Sequence, residues 1–464
     1  MECGAVTASA ARAAALRVVT RVRERGAFAH ETLNAVLGSA SLSAQDSALA
    51  TRLAYGTVAC RGTLDEAIDQ FVDSPGRLEP RVRDVLAVAA YELLFLRTPT
   101  WAAVNEGVEL SRSVQPRAAG LANAVLRRLG EARDGFPWGD PASDDAALAR
   151  LFGHPEWLTS MLVEQLGRAG AMSVLEADNE PAPLYLAHLP FRGSMAAALE
   201  QLEADGADPE VCELPGCIVA RHPASAVSGE ALRDSLVVVC DAAAQFAARM
   251  VRPTAGERIV DIGAGKGTKT LIMQAAAVES GGTAEIIAVD HHGFKLTVLE
   301  DVAQRLGVPG ITTLEADATA LGVEAGVAAG SADAVFVDAP CSGLGTLRRH
   351  PDKRWRLAPE DIDMLGGLGG RLLGRASLLV RPGGFVVYST CTLTPRENEY
   401  VIAEFLESAE GEWFSPDSLA GEVPASWRRF VRQDGTFQSL PERGGPDGHF
   451  VARLRRAPVG ESSD

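Results

Sequence analysis

The sequence predicts a multidomain chain: an all-α bundle, then a small α+β linker segment, then an α/β domain built on a doubly wound parallel sheet. Three observations carry that prediction. A length of 464 residues exceeds what one hydrophobic core usually serves. From about residue 8 to 135 the apolar residues recur at helical spacing, and from about 254 short β-branched runs alternate with helical stretches. The expected domains are 1–140, 141–235 and 236–458.

Along the first domain the helical signal is carried by Leu16, Val19 and Val22, by Val85, Val88, Leu93 and Leu94, and by Leu121, Val125, Leu126 and Leu129. Ser74-Pro75-Gly76 and Thr98-Pro99-Thr100 read as the turns between helices. The run Asp134-Gly135-Phe136-Pro137-Trp138-Gly139-Asp140-Pro141 reads as a linker. A helical piece opens at His154-Pro155-Glu156-Trp157-Leu158 and ends at Asn179-Glu180-Pro181-Ala182-Pro183; Leu184-Tyr185-Leu186 and Ile218-Val219-Ala220 then suggest a small α+β segment. In the last domain the expected strands run from Arg258 to Ile262, Ile286 to Val289, Ile311 to Glu315, Ala334 to Val337 and Phe385 to Tyr388. Ligands bind at the carboxyl ends of such strands, and every motif of this domain falls at one of them.

Composition narrows the class. With 47% hydrophobic and 23% charged residues the chain is globular rather than disordered, and no apolar run reaches membrane-spanning length. An opening that carries Glu2 and no basic residue before Arg12 argues against a secretory signal, so a cytoplasmic location is expected. Seven cysteines, none in a CxxC or metal-ligand spacing, support neither a disulfide framework nor a metal. The net charge of −17 is unevenly spread: residues 1–130 carry 15 arginines against 13 acids, so a nucleic-acid contact has to use local patches. Only four of the 44 basic residues are lysines, and all four, Lys266, Lys269, Lys295 and Lys353, fall in loops that bear motifs.

The first motif is Asp261-Ile262-Gly263-Ala264-Gly265-Lys266-Gly267-Thr268-Lys269-Thr270, which comes after a strand and opens a helix. Its spacing fits neither GxxxxGK[ST] nor GxGxxG, so it reads either as a tight turn or as a loop whose backbone closely approaches a ligand. Asp290 ends the second strand, where an acid reaches ribose hydroxyls; Asp317 ends the third, as an acceptor for an exocyclic amine or as a helix cap. Together they describe a nucleoside-bearing cofactor and do not separate S-adenosylmethionine from NAD.

The fourth and fifth strands make that separation. Asp338-Ala339-Pro340-Cys341-Ser342-Gly343 places a carboxylate and a thiol at one strand end, and Tyr388-Ser389-Thr390-Cys391-Thr392 places a second thiol at the next. Either thiol alone reads as core packing. Two beside a nucleotide-type loop fit methylation of a pyrimidine carbon: C5 becomes nucleophilic once a thiolate adds to C6, and a second group then assists loss of the C5 proton. Between them Arg348, Arg349, His350, Lys353, Arg354 and Trp355 form a basic, aromatic-bearing loop, suited to phosphates and base stacking or simply to a solvated surface.

These segments carry a resemblance. DAPCSGxGxxRRHPDxxW and YSTCTxxPxENE, with Asp241-Ala242-Ala243-Ala244-Gln245, Gln438 to Pro441 and Asp447-Gly448-His449-Phe450, resemble the Sun-type RNA (cytosine-5)-methyltransferases, most closely the bacterial RsmB group acting on 16S ribosomal RNA. Val104-Asn105-Glu106 and Asn123-Ala124-Val125-Leu126-Arg127-Arg128 resemble the NusB-type RNA-binding fold. The cofactor loop departs from that family's usual Cys-Ala-Ala-Pro-Gly-Gly-Lys-Thr, with Gly265, Lys266 and Thr268 replacing Ala, Pro and Gly, so a different turn shape is expected.

The resemblance implies a Rossmann-like methyltransferase domain that binds S-adenosylmethionine through Gly263, Ala264, Gly265, Lys266, Gly267, Thr268, Lys269, Asp290, Asp317 and Asp338, without a metal. It implies Cys391 as the nucleophile, Asp338 as the support for N3, and Cys341 as the group that assists proton loss and release. It further implies RNA contacts through Arg348, Arg349, Lys353, Arg354 and Trp355. Transfer RNA as substrate, or a non-catalytic role in ribosome assembly, are the alternatives.

Overall fold

The computed structural model describes residues 9–323 and 326–458. They form two units: the described residues up to Pro181 with Leu347–Ala358, and those from Ala182 to Thr346 with the described residues from Pro359 on.

The first unit is helical. Its helices start where side chains satisfy the unpaired N–H groups of a first turn: Ser9 caps Ala10–Arg25, Ser43 caps Ala44–Ala59, and the Glu79 carboxylate caps Pro80–Leu94. Pro80–Leu94 is the central helix, buried along nearly its whole length, including Asp84 and Glu92. Those two carboxylates account for three of the arginines. Asp84 accepts from Arg23 at 2.9 Å and Arg61 at 2.8 Å, and Glu92 pairs with Arg12 at 2.6 Å. These cations stabilise the bundle's own interior, because a buried carboxylate without a partner is costly.

The first compact unit runs on past residue 140 to Pro181. Phe136 and Trp138 pack against the bundle core, and Trp138 Nε1 donates to Ala132 O at 3.3 Å, so the turn-rich run redirects the chain without ending the core. Helices Asp145–Phe152 and Glu156–Ala177 therefore belong to the helical unit.

The second unit contains two sheets. The smaller has the order β2-β3-β1-β4, all antiparallel, from β1 (Leu184–His188), β2 (Pro209–Val211), β3 (Cys217–Ala220) and β4 (Val237–Val239). Its β1 alternates between two cores: Leu186 packs with Ala198, Leu202 and Ile218, while Tyr185 and Ala187 pack with Phe246 and Ile259. That second core is shared with the large sheet.

The large sheet comprises β5 (Arg258–Ile262), β6 (Glu285–Asp290), β7 (Ile311–Glu315), β8 (Ala332–Asp338), β9 (Val380–Thr390), β10 (Phe414–Pro416), β11 (Phe437–Ser439) and β12 (His449–Arg456). Its order is β10-β12-β9-β8-β5-β6-β7, with β11 paired to β12. The strands β5 to β9 are parallel; β12 runs antiparallel beside β9. Alternate side chains separate into two layers, Ile259, Phe336 and Val387 on one face and Val260, Val335 and Val386 on the other. The order reverses between β5 and β8, and at such a switch point a crevice opens beyond the carboxyl ends.

Candidate active site

At the end of β5 the chain turns through Gly263, Gly265 and Gly267, all at positive φ. Two of these positions admit no side chain: a Cβ on Gly263 would overlap Asp338 O, and one on Gly267 would overlap the Leu299 side chain. Gly267 also caps the helix Thr268–Glu279, which begins with Lys269 and Thr270 in its first turn. The loop is fastened by Gly263 N and Ala264 N, which donate to Val289 O at 2.9 and 3.0 Å.

Asp290 ties the second strand to that loop. Its Oδ2 accepts from Gly265 N at 3.0 Å and its Oδ1 from His292 N at 2.9 Å, with Lys295 Nζ 3.5 Å away. Burial pushes this carboxyl up, but the His292 N–H, the Lys295 ammonium and the Gly265 N–H together outweigh it and hold it below the usual range. Asp317 is exposed and accepts from Thr319 N at 2.9 Å and Thr319 Oγ1 at 2.7 Å, the geometry of a cap on the short helix Ala318–Ala320. Lys266 is exposed at the tip of the loop.

Lys269 points at the fourth strand, its Nζ 2.6 Å from Asp338 Oδ2. Burial lowers this ammonium, and the Asp338 carboxylate more than reverses the effect, so its pKa is raised. Asp338 stands opposite Ser389 in the β8/β9 register, which brings the segments beyond them out side by side. Cys341 Sγ and Cys391 Sγ lie 3.3 Å apart, both partly exposed. The Cys341 thiol is raised well above its ordinary value, first by its hydrogen bond to Cys391, then by burial and by the charges of Cys391 and Glu397. One thiol is thus held protonated against a neighbour that can receive its hydrogen bond. Gly345 N donates to Cys391 O at 3.0 Å and Gly448 N to Gly345 O at 2.8 Å, which joins both thiol loops to the start of β12.

The basic loop is placed differently from expectation. Residues 347–358 belong to the helical unit. Arg354 is 0% exposed, with donors directed to Gly153 O at 3.2 Å, Asn179 Oδ1 at 3.0 Å and Asp178 O at 3.1 Å. Trp355 Nε1 donates to Ala59 O at 2.7 Å and its ring lies against Gly62. Arg354 and Trp355, expected at RNA, are thus placed inside the helical unit, with carbonyls and a packed helix beside them. Arg348 is also buried, while Arg349 and Lys353 are partly exposed.

Three residues of this site lie in segments that the sequence motifs mark, with no role assigned to them there. Asp261 is fully buried, accepts from Thr270 Oγ1 at 2.5 Å, and is pushed by burial up to about 7. His449 is buried with Nε2 2.8 Å from Ser389 Oγ, and burial holds it well below the ordinary histidine value. Asn398 accepts from Thr390 Oγ1 at 2.6 Å and donates to Thr392 O at 3.2 Å. The motifs around Asp447 and Glu397 point to these segments, but the partners are distant in sequence. Among the described residues the one group with metal-ligand proximity is Asp290, His291 and His292, and Lys295 stands beside its carboxylate.

Comparison with known proteins places this geometry. Residues 248–455 match the family described as 16S rRNA methyltransferase RsmB/F, and residues 9–131 match the NusB family. A Synechocystis protein named "Probable ribosomal RNA small subunit methyltransferase B" is 32% identical, covering 96% of this chain and 99% of its own. The ribosomal RNA small subunit methyltransferase B of Vibrio cholerae is 31% identical, covering 96% and 97%. The crystal structure of PH0851 superposes with a TM-score of 0.79 at 22% identity, over 96% of this chain and 98% of that one, and so shares the fold.

Proposed function

The chain belongs to the RsmB/F family of methyltransferases with a NusB-family domain, and from that premise we propose that it methylates C5 of a cytosine in small-subunit ribosomal RNA through a covalent bond between Cys391 and C6. The observation that carries the reading is the pair of thiols 3.3 Å apart beyond the adjacent ends of β8 and β9, with the Lys269–Asp338 pair beside them.

The residues present fit S-adenosylmethionine. The loop turns on Gly263, Gly265 and Gly267 at positive φ with open space beside Gly265, and Asp290 offers a carboxylate at the strand end where ribose hydroxyls are bound in this fold class. Gly263 to Lys269, Asp290, Asp317 and Asp338 are the proposed contacts. When bound, this group supplies an electrophilic methyl on a sulfonium.

Cys391 adds as thiolate to C6 of an extruded cytosine, because the ring carbon is inaccessible inside a stack. Asp338 supports N3 by passing it a proton as Cys391 adds, and the Lys269 ammonium, 2.6 Å from Asp338, supplies that proton, so the ring is not left with a negative charge. Once C5 carries the methyl group, it must lose its proton for the C5=C6 bond to re-form and Cys391 to depart with its electron pair. Cys341, 3.3 Å from the leaving sulfur, is placed to give its own proton to Cys391 as that departs and to take up the C5 proton in its place.

The test is methyl transfer to unmodified 16S ribosomal RNA and to unmodified transfer RNA, followed by nucleoside analysis. The expected product is 5-methylcytosine in 16S RNA. Methylation of transfer RNA alone, or of another ring position, would overturn the proposal.

A further inference from the structure

Glu397 is 1% exposed and lies at neither the end of a sheet strand nor the cofactor loop. Its Oε1 accepts from Ser342 N at 2.6 Å. Its Oε2 accepts from Ser342 Oγ at 2.7 Å, Thr394 Oγ1 at 2.5 Å and Thr392 Oγ1 at 3.2 Å. Ser342 Oγ and Thr392 Oγ1 are themselves 2.6 Å apart. Among the described residues no Lys, Arg or His lies within ion-pair distance of it. A buried carboxylate with no counter-ion is costly unless several donors converge on it, and here an N–H and three hydroxyls do.

The positions of those donors give the cage its meaning. Ser342 directly follows Cys341, and Thr392 directly follows Cys391. One carboxylate therefore bolts together the two loops that present the thiols, across a sequence separation of 55 residues on the Ser342 side. Glu397 also precedes the helix Glu399–Leu406, where an acid often serves as a cap, yet its oxygens accept from residue 342 and from hydroxyls rather than from that helix's first N–H groups. The backbone reinforces the bolt: Glu397 O accepts from Tyr388 OH at 2.8 Å.

We infer that Glu397 is a positioning residue, which ties the Cys341 and Cys391 loops together and fixes the spacing of the two thiols. The inference rests on the covalent role proposed for those thiols, but the spacing itself can be measured without RNA. Diamide oxidises two adjacent thiols to a disulfide; each sulfur loses a proton, and diamide takes up both protons and two electrons to become the hydrazine. The rate of the Cys341–Cys391 linkage, followed by mass spectrometry of the peptide pair, reads how often the sulfurs meet.

Glu397→Ala is expected to slow that closure by about tenfold or more, and Glu397→Gln, which keeps part of the cage, by a smaller factor, because loosening two loops lowers the effective concentration of one thiol at the other. S-adenosylmethionine affinity and melting temperature report whether each variant is folded. In turnover with RNA both variants are expected to accumulate a denaturant-stable adduct, as Cys341→Ala should. An unchanged closure rate in folded Glu397→Ala overturns the inference, and if that variant does not fold, an unchanged rate in Glu397→Gln does so. Absence of any adduct in Cys341→Ala would instead count against the covalent mechanism and leave the closure rates to decide the role of Glu397.

Discussion

The two halves of the carboxyl edge of the large sheet are built from different materials. On the β5–β6 side the shape comes from the backbone: glycines at positive φ, N–H groups donating to Val289 O, and one carboxylate accepting from Gly265 N and His292 N. On the β8–β9 side it comes from side chains: two thiols, four hydroxyls, Glu397 and Asn398 in one connected set. A backbone cradle tolerates changed side chains if the turn is preserved, whereas a side-chain cage depends on each functional group. The departures at Gly265, Lys266 and Thr268 fall on the tolerant half, and the thiol motifs stand intact on the other.

The sharpest way to break this contrast is at the thiols. Cys391→Ala is expected to lower methyl transfer by at least about 10³-fold and form no adduct, since the proposed mechanism gives the addition to this thiol alone. Cys341→Ala is expected to slow turnover and trap the RNA–enzyme adduct, seen as a shifted band after denaturation. Normal turnover by Cys341→Ala with trapping by Cys391→Ala would reverse the two roles.

On the backbone side the expected losses are smaller. Asp290→Ala should weaken S-adenosylmethionine binding by roughly 1–3 kcal/mol, the cost of leaving buried hydroxyls and the Gly265 N–H without their acceptor. Calorimetric titration with unchanged affinity would remove Asp290 from the site.

Asp261 sharpens the comparison through pH. Its carboxyl is raised to about 7, so below the ordinary carboxylate range it is neutral in the folded and unfolded chain alike. As pH rises the unfolded chain ionises first, and the folded state loses stability progressively until about pH 7. Asp261→Asn, which stays neutral, should therefore gain on the native protein between about pH 4 and about pH 7, by about 1–3 kcal/mol in denaturant unfolding. A difference independent of pH would show that Asp261 ionises normally.

The helical unit offers a last test. A protein beginning at residue 145 loses most of the bundle against which helices 145–152 and 156–177 and the loop 347–358 pack. Trp355 loses its Ala59 acceptor and its Gly62 platform. Such a protein is expected to be poorly soluble, because the cut uncovers apolar surface. A soluble product with weaker RNA binding and a shallower salt dependence would favour the simpler picture of the bundle as a separable RNA grip.

Much of this is legible in the sequence, and the rest is hidden for identifiable reasons. Strands β5 to β9 can be read because parallel, doubly covered strands appear as short apolar runs. The strand β12 cannot: Arg453, only 3% exposed, points inward to Asp417 and Glu422, and an inward arginine erases the alternation that announces a strand. The burial of Arg354 is equally invisible, since its acceptors are carbonyls at Gly153 and Asp178, and a carbonyl leaves no mark on a sequence. The pairing of Glu397 with Ser342 depends on how β8 and β9 lie together. Local spacing shows a helix start and nothing more.

The position of β12 also orders events in time. Cys391 lies just beyond β9, whose neighbour on one side is β8 and on the other is β12, a strand that begins at His449. During synthesis at about 5–20 residues per second, several seconds separate Cys391 from the strand that completes its surroundings. Until then β9 presents an unpaired edge, and His449 is not there to meet Ser389. The strand that bears Cys391 is completed only once β12 has been made, so a ribosome that stalls within residues 392–448 leaves a chain with both thiols and an open sheet.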